Sequence, residues 1–380
     1  MTLTIGIFGH SSLENEHRLP IHPNHFSRID EEISASLFIE TGYGEKFGVL
    51  DSELAPYVGG VQSRAELIAN CDVILLPKMQ AVDLAELREG QTVWGWPHCV
   101  QDDEIAQLAI DKKLTLIAFE AMNHWNNDGS FGLHVFHKNN ELAGYASVIH
   151  SMELIGVTGD YGRKLSAAVI GFGATARGAV TALNAHGVHD VRVLTMRNVS
   201  AVASPIHSAQ IVQIDHDEGD DGGSFVTTDD DGRVDLVPYL AESDIIVNCM
   251  LQDPENPIIF LHEDDLGAFS PGSLIVDVSC DEGMGFSWAK PSTFEDPITT
   301  VGDRVHYYAV DHTPSLLWNS ATWEVSEAIL GYLETVAAGP AEWQKSETIR
   351  RAIEIQDGIV LNPAILAFQN RGEEYPYPRL

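Results

Sequence analysis

Three basic residues stand where a parallel sheet would expose them together. Lys78 ends the apolar run "VILLPK", His98 follows "TVWGWP", and Arg18 lies in "LENEHRLPIHP", beyond "LTIGIFG". Ligands of open α/β sheets bind beyond the carboxyl ends of the strands, so three such ends carrying Lys, His and Arg can line one crevice. The trio suits amine and 2-oxo acid chemistry. Arg18 can clamp a carboxylate through its guanidinium fork, while Lys78 and His98 share the proton transfers of carbinolamine formation and dehydration. Taken singly, each residue has a blander reading. Lys78 is equally a solvated strand terminus, His98 a hydrogen-bonded loop histidine, and Arg18 the ion-pair partner of Glu14 or Glu16.

A second constellation lies in "AAVIGFGATARGAVTAL", where Gly171, Gly173 and Ala176 form a G-x-G-x-x-A turn. The first glycine permits the tight turn, the second lets a pyrophosphate approach the backbone, and the small third residue lets helix and strand pack closely. Strand, turn and helix follow in the required order, so Gly171, Gly173, Ala174, Thr175 and Ala176 are expected to hold a dinucleotide. The alternative is an ordinary strand–helix turn with glycines kept for packing. The next strand, "VRVLTM", ends in Thr195, Met196, Arg197 and Asn198, without the carboxylate that accepts from the ribose hydroxyls of NAD. Arg197 can pair with a 2′-phosphate, which favours NADPH over NADH; its alternative roles are stacking on adenine or facing solvent.

These groups need two sheets to carry them. Short apolar strands at 3–9, 34–41, 71–77, 92–98 and 114–121 alternate with helical segments, which implies a parallel sheet covered on both faces. A longer helix from about 139 to 157 connects to a second series, at 166–173, 191–196, 209–215, 244–250 and 273–279. The fold class is therefore α/β, with two doubly wound Rossmann-like domains. Residues 215–235 are dense in Asp and Gly, fit no calcium loop and read as a solvated surface loop. Helical periodicity returns at about 319–337 and near 345–355.

Composition narrows the function classes. A formal charge of −34 over 380 residues repels phosphate backbones, which argues against nucleic-acid binding. It also suits a salty cytoplasm, where self-repulsion is screened. No stretch has the ~18 to 20 apolar residues of a membrane span. The start, "MTLTIGIFGH", lacks a secretory signal, so a cytoplasmic location is expected. Cys71, Cys99, Cys249 and Cys280 are scattered and read as small core residues, with neither a metal site nor a disulfide framework implied.

The ordered motifs "ENEHRLPIHP", "TGYGEKFGV", "LLPKMQ", "WPHC", "GFGATARG", "NCMLQDP", "LIVDVSCDEGMGFSWAKPSTFEDP" and "YYAVDHTPSLL" resemble the alanine dehydrogenase and transhydrogenase superfamily, from about residue 5 to about 335. The resemblance is closest to its saccharopine dehydrogenase and N5-(carboxyethyl)ornithine synthase branches. It implies a substrate domain of residues 1–140 with 310–380, an NAD(P)-binding Rossmann domain of residues 141–309, and a cleft between them. It implies Lys78 and His98 as the acid–base pair and Arg18 as a substrate residue. Asp281 matches the acid at the nicotinamide end, with both cofactor and substrate in reach, and Asp311 matches a motif of the saccharopine branch, its alternative being helix capping or hinge structure. "WPHC" and "DHTPSLL" depart from alanine dehydrogenases and tilt the expectation from ammonia toward a larger amine. The implied partners are an amino acid and a 2-oxo acid, and the fold is compatible with a homo-oligomer. A dinucleotide-binding sensor without turnover is the alternative of another class; it would need only the Rossmann half.

Overall fold

The computed structural model describes residues 2–197, 206, 208–217, 223–228, 232–252 and 256–380. The chain forms two compact units, Met1–His137 with Trp318–Leu380, and Lys138–Leu317.

In the first unit, strands β1 (Ile5–Ile7), β2 (Leu37–Glu40), β3 (Gly60–Gln62), β4 (Val73–Lys78), β5 (Thr92–Trp96) and β6 (Thr115–Ala118) are mutually parallel where they pair. The hairpin β7 (Asn123–Trp125) and β8 (Phe131–His134) stands apart from this sheet, and two late strands, β20 (Ile353–Gln356) and β21 (Ile359–Val360), complete it antiparallel. The order is β21-β20-β6-β5-β4-β1-β2-β3. Alternate side chains of the aliphatic strands enter two cores: Ile5, Ile7, Val73 and Leu75 on one face, Ile74, Leu76, Val93 and Leu116 on the other. Burial on both faces is why these strands read as continuous apolar runs. The chain's return after residue 317 packs Val325 and Ile329 of helix Trp318–Leu330 into the first core, each contributing about 1.5–3 kcal/mol.

The second unit holds a nine-stranded mixed sheet. Its strands are β9 (Ser166–Ile170), β10 (Asp190–Thr195), β11 (Gln210–His216), β12 (Ser224–Thr228), β13 (Gly232–Asp235), β14 (Ile245–Asn248), β16 (Leu274–Asp277), β18 (Ile298–Val301) and β19 (Val305–Tyr308). The order is β13-β12-β11-β10-β9-β14-β16-β19-β18, while β15 (Ile259–Leu261) and β17 (Gly285–Phe286) form a separate pair. The α/β class with two mixed, largely parallel sheets is thus present.

Two local expectations are corrected. Residues 215–235 are not a plain surface loop: their described parts extend β11 and form the antiparallel strands β12 and β13 at the sheet edge. Alternation in "SFVTT" outweighs the Asp and Gly content of the stretch. The segment near 345–355 is helical only over Glu347–Ala352, after which the β-branched "IEI" joins the first sheet as β20.

Candidate active site

Strand order reverses between β1 and β4 in the first sheet, and a crevice opens at the carboxyl ends of such a pair. Lys78 is the last residue of β4 and pairs in register with Trp96 of β5. The register slips between Leu75 and Lys78, where Pro77 supplies no N–H to the ladder. The slip needs Gly95 opposite: a Cβ there would lie 1.8 Å from the Leu76 carbonyl oxygen. Ser11, from the segment after β1, donates to the Lys78 carbonyl at 2.7 Å and ties the two strand ends together.

His98 follows β5 by two residues and adopts φ +46°, an uncommon conformation for a side chain other than glycine. Its amide donates to Glu120 Oε1 at 2.7 Å, and its ring Nδ1 stands 3.9 Å from the same oxygen. Glu120 sits on a short 3-10 turn directly after β6. Burial first, and the Glu354 carboxylate second, push its carboxyl up to about 8; the His98 amide and the Lys78 ammonium act against them. His98 thus sits on a carboxyl whose proton affinity is raised toward the neutral range, and the Lys78 charge acts on the same group. Its Oε2 is buried without a hydrogen-bond partner among the described residues. Below it, the Phe136 amide donates to His134 Nδ1, so Nε2 carries the ring proton and donates to the Glu120 carbonyl at 3.1 Å. Burial lowers the His134 pKa, which agrees with this neutral tautomer.

Arg18 is buried, and its Nε bonds Glu16 Oε1 and Oε2 at 2.9 and 3.1 Å, with Nη2 on Oε2 as well. The ion pair with Glu16 is thus made, and the guanidinium lies 5.1 Å from the centroid of the Trp96 ring. Trp96 links the three sequence-derived residues: it faces Arg18, pairs with Lys78 and precedes His98 by two positions.

The second unit carries the glycine turn. Gly171 has φ +115°, and a Cβ on it would approach the Cys249 carbonyl to 3.0 Å. Above Gly173 lies open space within 4 Å, and helix Ala174–Ala185 starts at Gly173 with no side-chain cap on its amides. Open space over uncapped N–H groups fits a pyrophosphate, with Ala174 and Thr175 in the first turn and Ala176 buried. The turn occupies the switch point between β9 and β14. Arg197 is exposed just beyond β10, its amide bonded to Thr195 Oγ1 at 3.0 Å; Asn198 lies outside the described residues.

Asp281 follows β16, in a loop anchored by a residue that sequence reasoning missed. Asp277 is fully buried and accepts from Tyr307 Oη at 2.8 Å, Asn248 Nδ2 at 2.9 Å and the Cys280 amide at 3.1 Å. Burial still pushes its carboxyl up to about 6 against those donors. Asp311 follows β19 and contacts the His312 ring, both within the second unit. All four cysteines are buried free thiols. No described helix is long and apolar enough to cross a membrane.

Glu120 was equally invisible in the sequence reading, although the rule that selects Lys78 also selects it: a charged residue closing the buried run "LTLIAFE".

Residues 11–143 match the alanine dehydrogenase/PNT N-terminal domain, and residues 158–363 match the alanine dehydrogenase/PNT C-terminal domain. An N(5)-(carboxyethyl)ornithine synthase of Clostridium botulinum is 26% identical over 324 residues, covering 83% of this chain and 89% of the relative. An alanine dehydrogenase of Halomonas elongata is 26% identical over 324 residues, covering 82% of this chain and 81% of the relative. Among solved structures, an L-alanine dehydrogenase superimposes with a TM-score of 0.74 at 17% identity, over 96% of this chain and 99% of its own.

Proposed function

The chain belongs to the alanine dehydrogenase/PNT family of NAD(P)-dependent oxidoreductases, and from that premise we propose that it reductively condenses a 2-oxo acid with an amino-acid amine. The observation that carries the reading is the hold of His98 on the Glu120 carboxyl, through its amide at 2.7 Å, beyond the neighbouring strand ends β5 and β6, with Lys78 at the end of the adjacent β4.

The amine nitrogen attacks the keto carbon while the Lys78 ammonium gives its proton to the carbonyl oxygen. His98 takes the proton released by the amine, and the product is a carbinolamine. In dehydration the C–O bond breaks, the leaving hydroxyl takes a proton from His98 and departs as water, and a protonated imine, still carrying its N–H, remains. Arg18, fixed by Glu16, supplies a positive charge for the carboxylate of the 2-oxo acid. When bound, the reduced nicotinamide would supply the hydride that converts the protonated imine to a secondary amine. The glycine turn of residues 171–176 holds the pyrophosphate, Asp281 steadies the nicotinamide end, and Asp311 is assigned to the substrate side. Arg197 pairs with a 2′-phosphate, which makes NADPH the preferred reductant.

The pyruvate-like oxo acid and ornithine- or lysine-like amine are chosen on the likeness to N(5)-(carboxyethyl)ornithine synthase. Ammonia is the second reading, favoured by the equal identity to the Halomonas alanine dehydrogenase. The test is a matrix of 2-oxo acids against amines, ammonia included, followed by NADPH and NADH absorbance. Turnover with pyruvate and ornithine above that with ammonia supports the first reading; turnover with ammonia alone replaces it with the second.

A further inference from the structure

The strand order β10-β9-β14-β16-β19 decides which end of a dinucleotide each loop of the second unit meets. The glycine turn after β9 takes the pyrophosphate and the segment after β10 the adenosine side, so the nicotinamide half is left to the carboxyl ends of β14 and β16. Those two ends are joined to the turn by an unbroken series of contacts. A Cβ on Gly171 would lie 3.0 Å from the Cys249 carbonyl group and 3.3 Å from the Met250 nitrogen, so the turn rests directly on that peptide. The Met250 amide donates to Asn248 Oδ1 at 3.2 Å, Asn248 Nδ2 donates to Asp277 Oδ1 at 2.9 Å, and the same oxygen accepts from the Cys280 amide at 3.1 Å. Since the Met250 amide only donates and the Asp277 carboxylate only accepts, the Asn248 side chain has one possible orientation. Ser279 Oγ makes a second link, to the Met250 carbonyl at 2.8 Å. Behind them Tyr307 Oη donates to Asp277 Oδ2 at 2.8 Å, and Gly285, at φ +77°, leaves only 2.7 Å between an added Cβ and Asn248 Nδ2. Cys280 takes φ +44°, a conformation uncommon outside glycine, and the next residue is Asp281.

We propose that Asn248, Asp277 and Tyr307 are positioning residues for the nicotinamide half of the cofactor: together they set the loop after β16, Asp281 included, at a fixed distance from the pyrophosphate turn. The inference rests on the dinucleotide reading of residues 171–176 given above. Asn248 and Asp277 stand in register on neighbouring strands and are buried, as is Tyr307, so their effect on a ligand passes through the loops they hold. A carboxylate is kept in such a place only where it is hydrogen-bonded, and three donors serve this one. Apolar residues would close the same core at less cost. The polar bridge gives two loops a single relative position instead, because each of its hydrogen bonds has a direction. Hydride transfer needs that precision, since a displacement of about 1 Å costs on the order of a hundredfold in rate.

The experiment measures equilibrium binding to the full-length protein by calorimetry, with NADPH and NADH each set against its fragment lacking nicotinamide, 2′-phospho-ADP-ribose or ADP-ribose. The fragments engage the glycine turn and the adenosine side alone, so they report on the folded cofactor site independently of the loop after β16. In Asp277→Asn, Kd for the preferred dinucleotide is expected to rise about tenfold or more, while Kd for its fragment stays within about twofold. Tyr307→Phe removes one donor and leaves the ring packed; a selective rise of about threefold is expected, and this variant decides the matter should Asp277→Asn fail to fold. Dinucleotide and fragment affinities that change in step, as a merely structural role would have them do, or that do not change at all, overturn the proposal. If wild type binds neither NADPH nor NADH, the dinucleotide reading falls and this inference with it; binding with an unchanged ratio in the variants removes the inference alone. With a working oxo acid and amine pair, Tyr307→Phe should lower kcat more than it changes KM for the oxo acid, which is set by Arg18 in the first unit.

Discussion

His98 and Glu120 meet twice: the histidine amide donates to Glu120 Oε1 at 2.7 Å, and the imidazole of the same residue stands 3.9 Å from that oxygen. The amide contact fixes the carboxyl whatever the ring does. A carboxyl held in this way has a contact that does not depend on the rotamer of the ring.

Glu120→Gln should remove the ionisation near pH 8 from the pH profile of kcat/KM and lower kcat by about tenfold or more. A profile unchanged in that range would deny Glu120 any part in turnover. The same residue leaves a mark on stability. Its folded pKa lies above the ordinary carboxyl value, so between about 4.5 and 8 the folded state holds a proton that the unfolded state has released. Stability from this group is therefore present at low pH and lost as pH rises to about 8. Wild type should lose more Tm than Glu120→Gln between pH 5 and pH 9.

Lys78→Met should lower kcat/KM by about a hundredfold or more, with NADPH binding, followed by nicotinamide fluorescence, unchanged. Because the Lys78 ammonium holds the Glu120 carboxyl down, the variant's Glu120 midpoint should move further up. Residual activity within a few-fold of wild type would remove Lys78 from the proton path.

Arg197→Asp should turn the ratio of kcat/KM for NADPH over NADH toward NADH by about tenfold or more, since the carboxylate repels a 2′-phosphate and accepts from ribose hydroxyls. An unchanged ratio would mean that the exposed guanidinium does not meet the cofactor phosphate.

Gly178→Ala places a methyl group 1.7 Å from the Glu141 carbonyl oxygen, where helix Ala174–Ala185 crosses helix His137–Leu154. Backbone, rather than a flexible side chain, must move. Urea unfolding should show a loss of about 1–3 kcal/mol, and NADPH affinity should fall as the first turn of the cofactor helix shifts.

Raising salt from low concentration to about 1 M KCl should raise Tm, because 56 acidic residues against 22 basic ones repel one another across the surface. A Tm that falls or stays level would show that the acidic surface carries no net strain.

The strand ends that carry Lys78 and His98, and the turn at Gly171 and Gly173, are legible because each is a local pattern: an apolar run and the residue that stops it. Glu120 obeys the same pattern, but an acid in so acidic a chain does not stand out as one of eight lysines does. Glu354, whose carboxylate helps to push up that of Glu120, is illegible for a different reason. Its neighbours Arg350 and Arg351 belong to a helix, its place in the sheet depends on a bulge against β6, and register between segments this distant is a tertiary property. In the described part of the Asp and Gly stretch, the alternation in "SFVTT" forms a strand despite the composition around it. For Arg18 the sequence allows a substrate clamp or an ion pair with Glu14 or Glu16, and the choice of Glu16 depends on the backbone path between them, which no local pattern states.

The order in which the first sheet is joined along the chain also has a biosynthetic side. Strand β6 emerges from the ribosome early, yet its antiparallel neighbour β20 emerges only after the whole second unit has been made. A nascent chain therefore has all of Lys78, His98 and Glu120 but lacks the strand that closes their sheet, and an unpaired edge of this kind invites wrong partners. Translation that halts before residue 353 would leave the β6 edge of the sheet unpaired. The first sheet is thus complete only once the strand that begins at residue 353 has been made.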